Sequence, residues 1–428
     1  MDTTRRTILR GMAAAPVVAA TSGLLVPGEA AAVSDGVTAT PAERPMGLTY
    51  DAAHSALLEE SIRGLHDKEK LGRIDVAGVL RGKPQHEGRN GVLPGLWPRS
   101  TRRPDRAFRW SGNDRIAKSP EWWPQGISTV YDATEQRGRD ILLVSWYHGV
   151  EDHSANRGGR IAIIDLRGRT PKYWYALLVL PTRKAGGHSF EPLYGLHAGG
   201  LAWYGTKLYV TESRTGALYV FDTADMFPIK GDGANLCGKG PGGVFHAFGA
   251  PYAMPLRRVY RVDAQGRKRL KFSQVSVDRD PDRPYRSLVV NEWEPGKDHA
   301  IVARWDIGHN SPYPRMEPGA ASAVSSAVYR VERGSNPKKS GLPQGYGMQG
   351  AVSIRGRLYL SVSRGERNGY YSGVRLDSRG VGTARKLWEL PRTPEDLSYQ
   401  GITRNTGRVW GLTEGRGQRF VFGMRVSR

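Results

Sequence analysis

His197-Ala198-Gly199-Gly200-Leu201-Ala202-Trp203-Tyr204-Gly205-Thr206-Lys207-Leu208-Tyr209-Val210-Thr211-Glu212 decides the architecture. A run of small residues leads into an apolar strand. Tyr204-Gly205-Thr206 is a tight turn, and Lys207 to Glu212 reads as a second strand. A polar tip follows, then a third strand from Leu218 to Asp222. The same order returns along the chain. The other copies open at Gln125-Gly126-Ile127-Ser128, Gln274-Val275-Ser276-Val277, Gln349-Gly350-Ala351-Val352 and Gln400-Gly401-Ile402-Thr403.

Second strands are expected at Ile141 to Trp146, Ser287 to Glu292, Arg357 to Val362 and Arg408 to Thr413. Third strands are expected at Ile161 to Leu166, Ala300 to Asp306, Gly373 to Asp377 and Arg419 to Arg425. Fourth strands are expected at Lys172 to Leu180, Arg258 to Val262, Ala327 to Val331 and Arg385 to Leu390. Four-stranded antiparallel units repeated radially make an all-β fold, a β-propeller of about five blades. Six or seven blades stay open. The spacing of about fifty to about seventy-six residues exceeds that of a typical blade, which predicts enlarged loops. A β-helix needs shorter, stricter coils, and a β-sandwich gives no reason for matched openings. The chain ends inside the fifth copy, so its outermost strand must come from elsewhere. A segment near Asp105 to Trp110 is the candidate.

Three segments are expected: residues 1–32 as an export signal, 33–104 as an N-terminal extension that wraps or closes the propeller, and 105–428 as the propeller itself. Thr4-Arg5-Arg6-Thr7-Ile8-Leu9-Arg10 resembles the bacterial twin-arginine motif. An apolar stretch and Ala30-Ala31-Ala32 follow, which suit cleavage after Ala32 rather than a membrane span. The chain is therefore expected to be secreted. Cys237 is the one cysteine among 428 residues, so no internal disulfide and no Cys-based zinc site can form, and stability must come from the core.

The formal charge of +22 favours anionic partners, an acidic glycan or another anionic polymer. No nucleic-acid-binding signature is visible, and a monomer is expected.

In a propeller the start of each inner strand and the end of the next strand meet at one rim, because neighbours are antiparallel. That rim is expected to gather Gln125, His197, Gln274, Gln349 and Gln400. Tips add Trp146, Tyr147, His148, Glu212, Arg214, Glu292, Trp293, Arg364 and Glu414. A glutamine ring ties neighbouring sheets together or orients a polar ligand. His197 breaks the pattern, and histidine is the side chain that changes charge near neutral pH. Trp146 and Trp293 offer flat faces for a sugar, though large aromatics also wedge sheets apart. Arg214 and Arg364 hold matched places and suit a carboxylate or phosphate. The segment His148-Gly149-Val150-Glu151-Asp152-His153 gathers ligands for a divalent cation such as calcium, without the spacing of an established motif. No other cofactor is implied.

In architecture and residue types the chain is similar to β-propeller polysaccharide lyases. The resemblance includes no family motif, so no family residue is carried over. The residues themselves suit elimination on a uronate-containing glycan, with Arg214 and Arg364 neutralising the carboxylate. Tyr147, His148 or His197 would act as base and acid, and Gln125, Gln274, Gln349, Gln400, Trp146, Trp293, Glu212, Glu292 and Glu414 would hold the sugar. The alternatives are a lectin-like or wall-binding propeller, or a glycoside hydrolase built on two carboxylates such as Glu212 and Glu414.

Overall fold

The computed structural model describes residues 37–41, 45–134, 140–263, 271–279, 283–295, 299–308, 311–333, 345–354, 356–375, 382–401 and 407–426. The expected export signal lies outside them.

Each copy is an antiparallel sheet. The first runs Trp122–Thr129, Ile141–His148, Gly159–Asp165 and Lys172–Lys184, and the second Leu201–Tyr204, Lys207–Glu212, Ala217–Asp222 and Tyr252–Asp263. The third is Phe272–Asp278, Ser287–Glu292, His299–Asp306 and Ala327–Arg333. The fourth is Met348–Ile354, Arg357–Arg364, Arg367–Arg375 and Gly382–Arg392. The fifth begins Pro394–Gly401, Gly407–Thr413 and Phe420–Arg425. The innermost strands of these sheets adjoin one another in sequence order, and the fifth adjoins the first. The ring is therefore closed, and the fold is a β-propeller.

Closure uses the N-terminal part of the chain. Arg106–Arg109 pairs antiparallel with Phe420–Arg425, placing Phe108 opposite Val421, and Arg89–Asn90 adds outside it. Phe108 is buried and meets Trp110 edge-on at 5.3 Å. Asp105, just ahead of the strand, accepts from Arg408 Nε at 2.9 Å and Nη2 at 2.8 Å. Hydrogen bonds, aromatic packing and a charge pair thus act on one seam.

Further upstream, Val37–Pro41 pairs with outer strands of both the third and fourth sheets. Gly47–Tyr50 pairs with the outer strand of the second. A helix, Ala52–Asp67, starts at Asp51, whose carboxylate accepts from His54 N. Leu58, Ile62 and Leu65 make one buried stripe at helical spacing. That stripe packs on the outer strands of the first and second sheets.

The core lies between sheets. Each strand alternates its side chains, so residues of one strand enter two different inter-sheet layers. Leu143 and Ile163 belong to one cluster, Leu142 and Ile164 to another. Cys237 is a free thiol.

Candidate functional site

Four of the five inner strands carry a register irregularity at the rim where they begin. The irregularities hold Gln125-Gly126, Ser273, Gln349 and Glu395-Asp396. A bulge re-aims a side chain at a rim. The second sheet instead arrives through Ala198, at φ 49°, and Gly199-Gly200. A Cβ on Gly200 would fall on Gln274 Cα and Val275 N. The small residues of the repeat are thus needed for inner strands to approach backbone to backbone.

Beneath this rim lies Asp396, fully buried. Its Oδ2 accepts from Ile127 N of the first sheet at 2.9 Å and from Leu201 N of the second at 3.2 Å. Its Oδ1 accepts from Leu397 N at 2.7 Å. Burial pushes this carboxyl well above the usual range, and these donors, with Gln274, pull against the shift. Other seams are stitched by side chains. Ser145 Oγ donates to Ala198 O at 2.7 Å, and Ser213 Oγ donates to Phe272 O at 2.6 Å. Gln274 Oε1 accepts from Ala351 N at 3.0 Å. Gln274 is therefore a stitching residue between the third, fourth and fifth sheets.

Around the axis the rim brings together part of the expected set. Gln125 Nε2 donates to Glu414 Oε2 at 2.6 Å, joining the first sheet to the fifth. Tyr147, half-buried, stacks on His197 with ring centroids 4.3 Å apart and planes 26° apart. Gln349, Glu292 and Glu395 are buried at the same level of their sheets. Trp293 is half-buried one residue beyond Glu292.

Arg419 supports Glu414. Its Nε donates to Glu414 O at 3.1 Å, and its Nη1 donates to Ala117 O and Ser119 O at 2.7 and 2.9 Å. The guanidinium lies over Trp123 and Trp146. Burial lowers its pKa to about 10, and Glu414 opposes that shift.

Several expectations are corrected. Gln400 ends its inner strand instead of opening it: it pairs with Arg408, at the opposite rim. There its Nε2 donates to Asp140 at 2.8 Å, and its Oε1 accepts from Trp410 Nε1 at 2.7 Å. Glu395-Asp396 fills the place expected for it. In the sequence, the turn-type residues Asn405-Thr406-Gly407 follow Gln400 too closely to leave room for an inner strand between them. That spacing is the signal in the sequence that the inner strand, and with it Glu395 and Asp396, precedes Gln400.

Trp146 is no tip residue. It is fully buried in a strand, edge-on to Trp110 at 4.9 Å. Glu212 is spent on its own turn: Oε2 accepts from Thr215 N at 2.7 Å and Thr215 Oγ1 at 2.6 Å. Arg214 folds back beside it and donates to Tyr194 O at 3.2 Å. Arg364, half-buried, sits on the hairpin of the fourth sheet opposite Arg367, so the two arginines belong to separate tips.

His148 is buried against Trp122. Its Nδ1 accepts from Arg157 N at 3.2 Å, which leaves the ring proton on Nε2, facing Glu121 at 3.3 Å. Burial lowers its pKa, and Glu121 opposes that shift. The loop expected to hold a cation uses its groups otherwise. Asp152 accepts from Ser154 N and Oγ, and His153 stacks on Tyr194 at 4.0 Å. Among the described residues no group of three or more His, Cys, Asp or Glu is placed to hold a metal ion. No helix among them is long and apolar enough to cross a membrane.

No protein-family model matches the chain, and no curated protein matches it. Solved structures with some similarity include an endo-arabinase from Bacteroides thetaiotaomicron VPI-5482. It is 10% identical, with a TM-score of 0.36 over 71% of this chain and 98% of that one. A GH43_1 enzyme from Xanthomonas citri complexed with xylotriose is 10% identical, with a TM-score of 0.31 over 87% and 93%. CoXyl43, a GH43 β-xylosidase/α-arabinofuranosidase from a compost microbial metagenome, is 11% identical, with a TM-score of 0.32 over 72% and 93%.

Proposed function

We propose that the chain is a carbohydrate-active propeller that hydrolyses a glycan at the rim where its inner strands begin, with Glu395 and Glu414 as the carboxylate pair. The observation that carries this reading is the grouping of Glu414, Gln125 and the Tyr147–His197 stack around the axis. Glycoside hydrolysis needs one carboxyl to protonate the leaving oxygen and another to act as base or nucleophile. The fifth sheet carries both, Glu395 on its bulge and Glu414 at its tip. Gln125 fixes Glu414 by donating to it, and Arg419 holds the Glu414 backbone. Tyr147 supplies a flat apolar face with a polar edge, the shape a pyranose ring stacks on.

Hydrolysis takes precedence over elimination because the fifth sheet brings two carboxylates to the rim, whereas the two arginines expected to neutralise a uronate stand on separate tips. Arg214 is committed to Glu212 and to Tyr194 O. The twin-arginine-like N-terminus supports action outside the cell, and the charge of +22 supports an acidic glycan as substrate.

Reducing-end release from neutral and acidic polysaccharides tests the reading, with absorbance of unsaturated uronates followed in parallel. Hydrolysis should fall by about 10²–10⁴-fold in Glu414→Gln and in Glu395→Gln. Release that survives in both variants refutes the carboxylate pair. An absorbance rise restores the lyase, and glycan binding without turnover makes the propeller a lectin.

A further inference from the structure

We infer that the closing segment carries a basic track on which an acidic polysaccharide chain lies as it enters the rim. This rests on the reading of the rim as a site for an acidic glycan and adds the path along which the polymer lies. Residues 81–118 contain ten Lys or Arg against three Asp or Glu, a surplus of seven in a chain whose total is +22. Of the three acids, Asp105 is occupied by Arg408, and Asp114 is buried beneath the hydroxyls of Tyr173 and Tyr175. Glu87 is left to face solvent.

Arg89, Arg99, Arg102, Arg103, Arg115 and Lys118 are all exposed, and none makes an ion pair with a described carboxylate.

The fold arranges these charges as a path. Arg115 and Lys118 sit on the short helix Arg115–Lys118, whose end is held by Arg419, the residue that also holds Glu414. Arg89 lies on the outermost strand of the fifth sheet, opposite Arg109. Arg99, Arg102 and Arg103 lie on the loop that follows. Trp97 Nε1 donates to Arg102 O at 3.2 Å, and Ser100 Oγ donates to Glu389 Oε2 of the fourth sheet at 2.7 Å. The track thus runs from the rim beside Glu414 across the outer edge of the fifth sheet to the fourth.

Arginine on an edge strand also deters strand addition. That role accounts for Arg89 and leaves the five charges off the edge strand unexplained. Guanidinium groups in series match carboxylates repeated along a polymer, bidentately where geometry allows.

The test measures calorimetric affinity of the full chain carrying Glu414→Gln for polygalacturonate, with dextran as the uncharged comparison, at low and high NaCl. The triple variant Arg89→Glu/Arg102→Glu/Arg103→Glu should lose about tenfold or more. A matched triple elsewhere, Arg63→Glu/Lys68→Glu/Lys230→Glu, changes net charge equally and should lose less than about twofold. Arg115→Gln/Lys118→Gln repeats the test at the rim end if the triple variant misfolds.

Equal loss in the two triples overturns the track, as does unchanged affinity or indifference to salt. The two readings also fail separately. Track-dependent binding with no reducing ends from any glycan sinks the hydrolase. Hydrolysis of a neutral glycan with no affinity for polygalacturonate sinks the track.

Discussion

Asp132 lies at the opposite rim, in the short helix Val130–Thr134 after the first inner strand. Its Oδ2 accepts from Ser128 Oγ at 3.1 Å and from Ser398 Oγ of the fifth sheet at 2.6 Å. Burial pushes its pKa from 3.8 up to about 6, while Ser398, Arg279, Ser128 and Thr129 pull it down. The folded chain therefore holds this proton more tightly than the unfolded chain. Stability from this group is full below about pH 3.8 and falls away as pH rises to about 6.

The difference between 3.8 and about 6 corresponds to about 3 kcal/mol. With an unfolding entropy of about 2 cal/mol/K per residue, that is roughly 4 °C in melting temperature for a domain of this size.

Asp132→Asn removes the titration, and its amide oxygen can still accept from both serine hydroxyls. Melting temperatures of parent and variant, measured from about pH 3.5 to about pH 7.5, should diverge by that amount across the window. The variant should gain relative to the parent as pH rises. Asp396, also pushed upward by burial, titrates in both proteins and cancels in the difference. Parallel curves would refute the reasoning, since they would mean the folded state does not hold the Asp132 proton.

Three further outcomes follow from the geometry. Gly200→Ala forces a Cβ onto the backbone at Gln274 and Val275, so the inner strands must separate; a lower denaturation midpoint and loss of rim function together are expected. Phe108→Ala empties the closing strand of its buried ring and should cost about 3–5 kcal/mol in urea unfolding, with the seam between the fifth sheet and the N-terminal segment opening first by hydrogen exchange. Tyr147→Ala should raise KM for the glycan by about tenfold while melting within a few degrees of the parent, because this ring is half-buried and meets the rim; an unchanged KM would show that the stack with His197 serves packing alone.

The repeat was readable because strand periodicity, tight turns and small-residue openings are local properties. The fourth strands and the closing strand near Asp105–Trp110 fall where local pattern puts them. Rim positions are set by register and so are less local. Gln125, Tyr147, His197 and Glu414 meet there, whereas Gln400 lies at the far rim, because the fifth inner strand runs Pro394–Gly401 and puts the Glu395-Asp396 bulge where the other inner strands begin. A bulge has no composition of its own, so matching residue types could not find it.

The sequence alone determined that copies of one supersecondary unit must share their hydrophobic faces, since no single sheet can bury both of its own. The tertiary structure decided which polar groups face the axis and which are consumed by neighbours. Glu212 and Arg214 satisfy each other within one tip, and Trp146 is lost to the core. Glu395 and Glu414 come to a shared rim from positions that carry no motif. The physical reason is that burial and hydrogen-bond saturation depend on contacts between residues far apart in the chain, and no window along the sequence contains both partners.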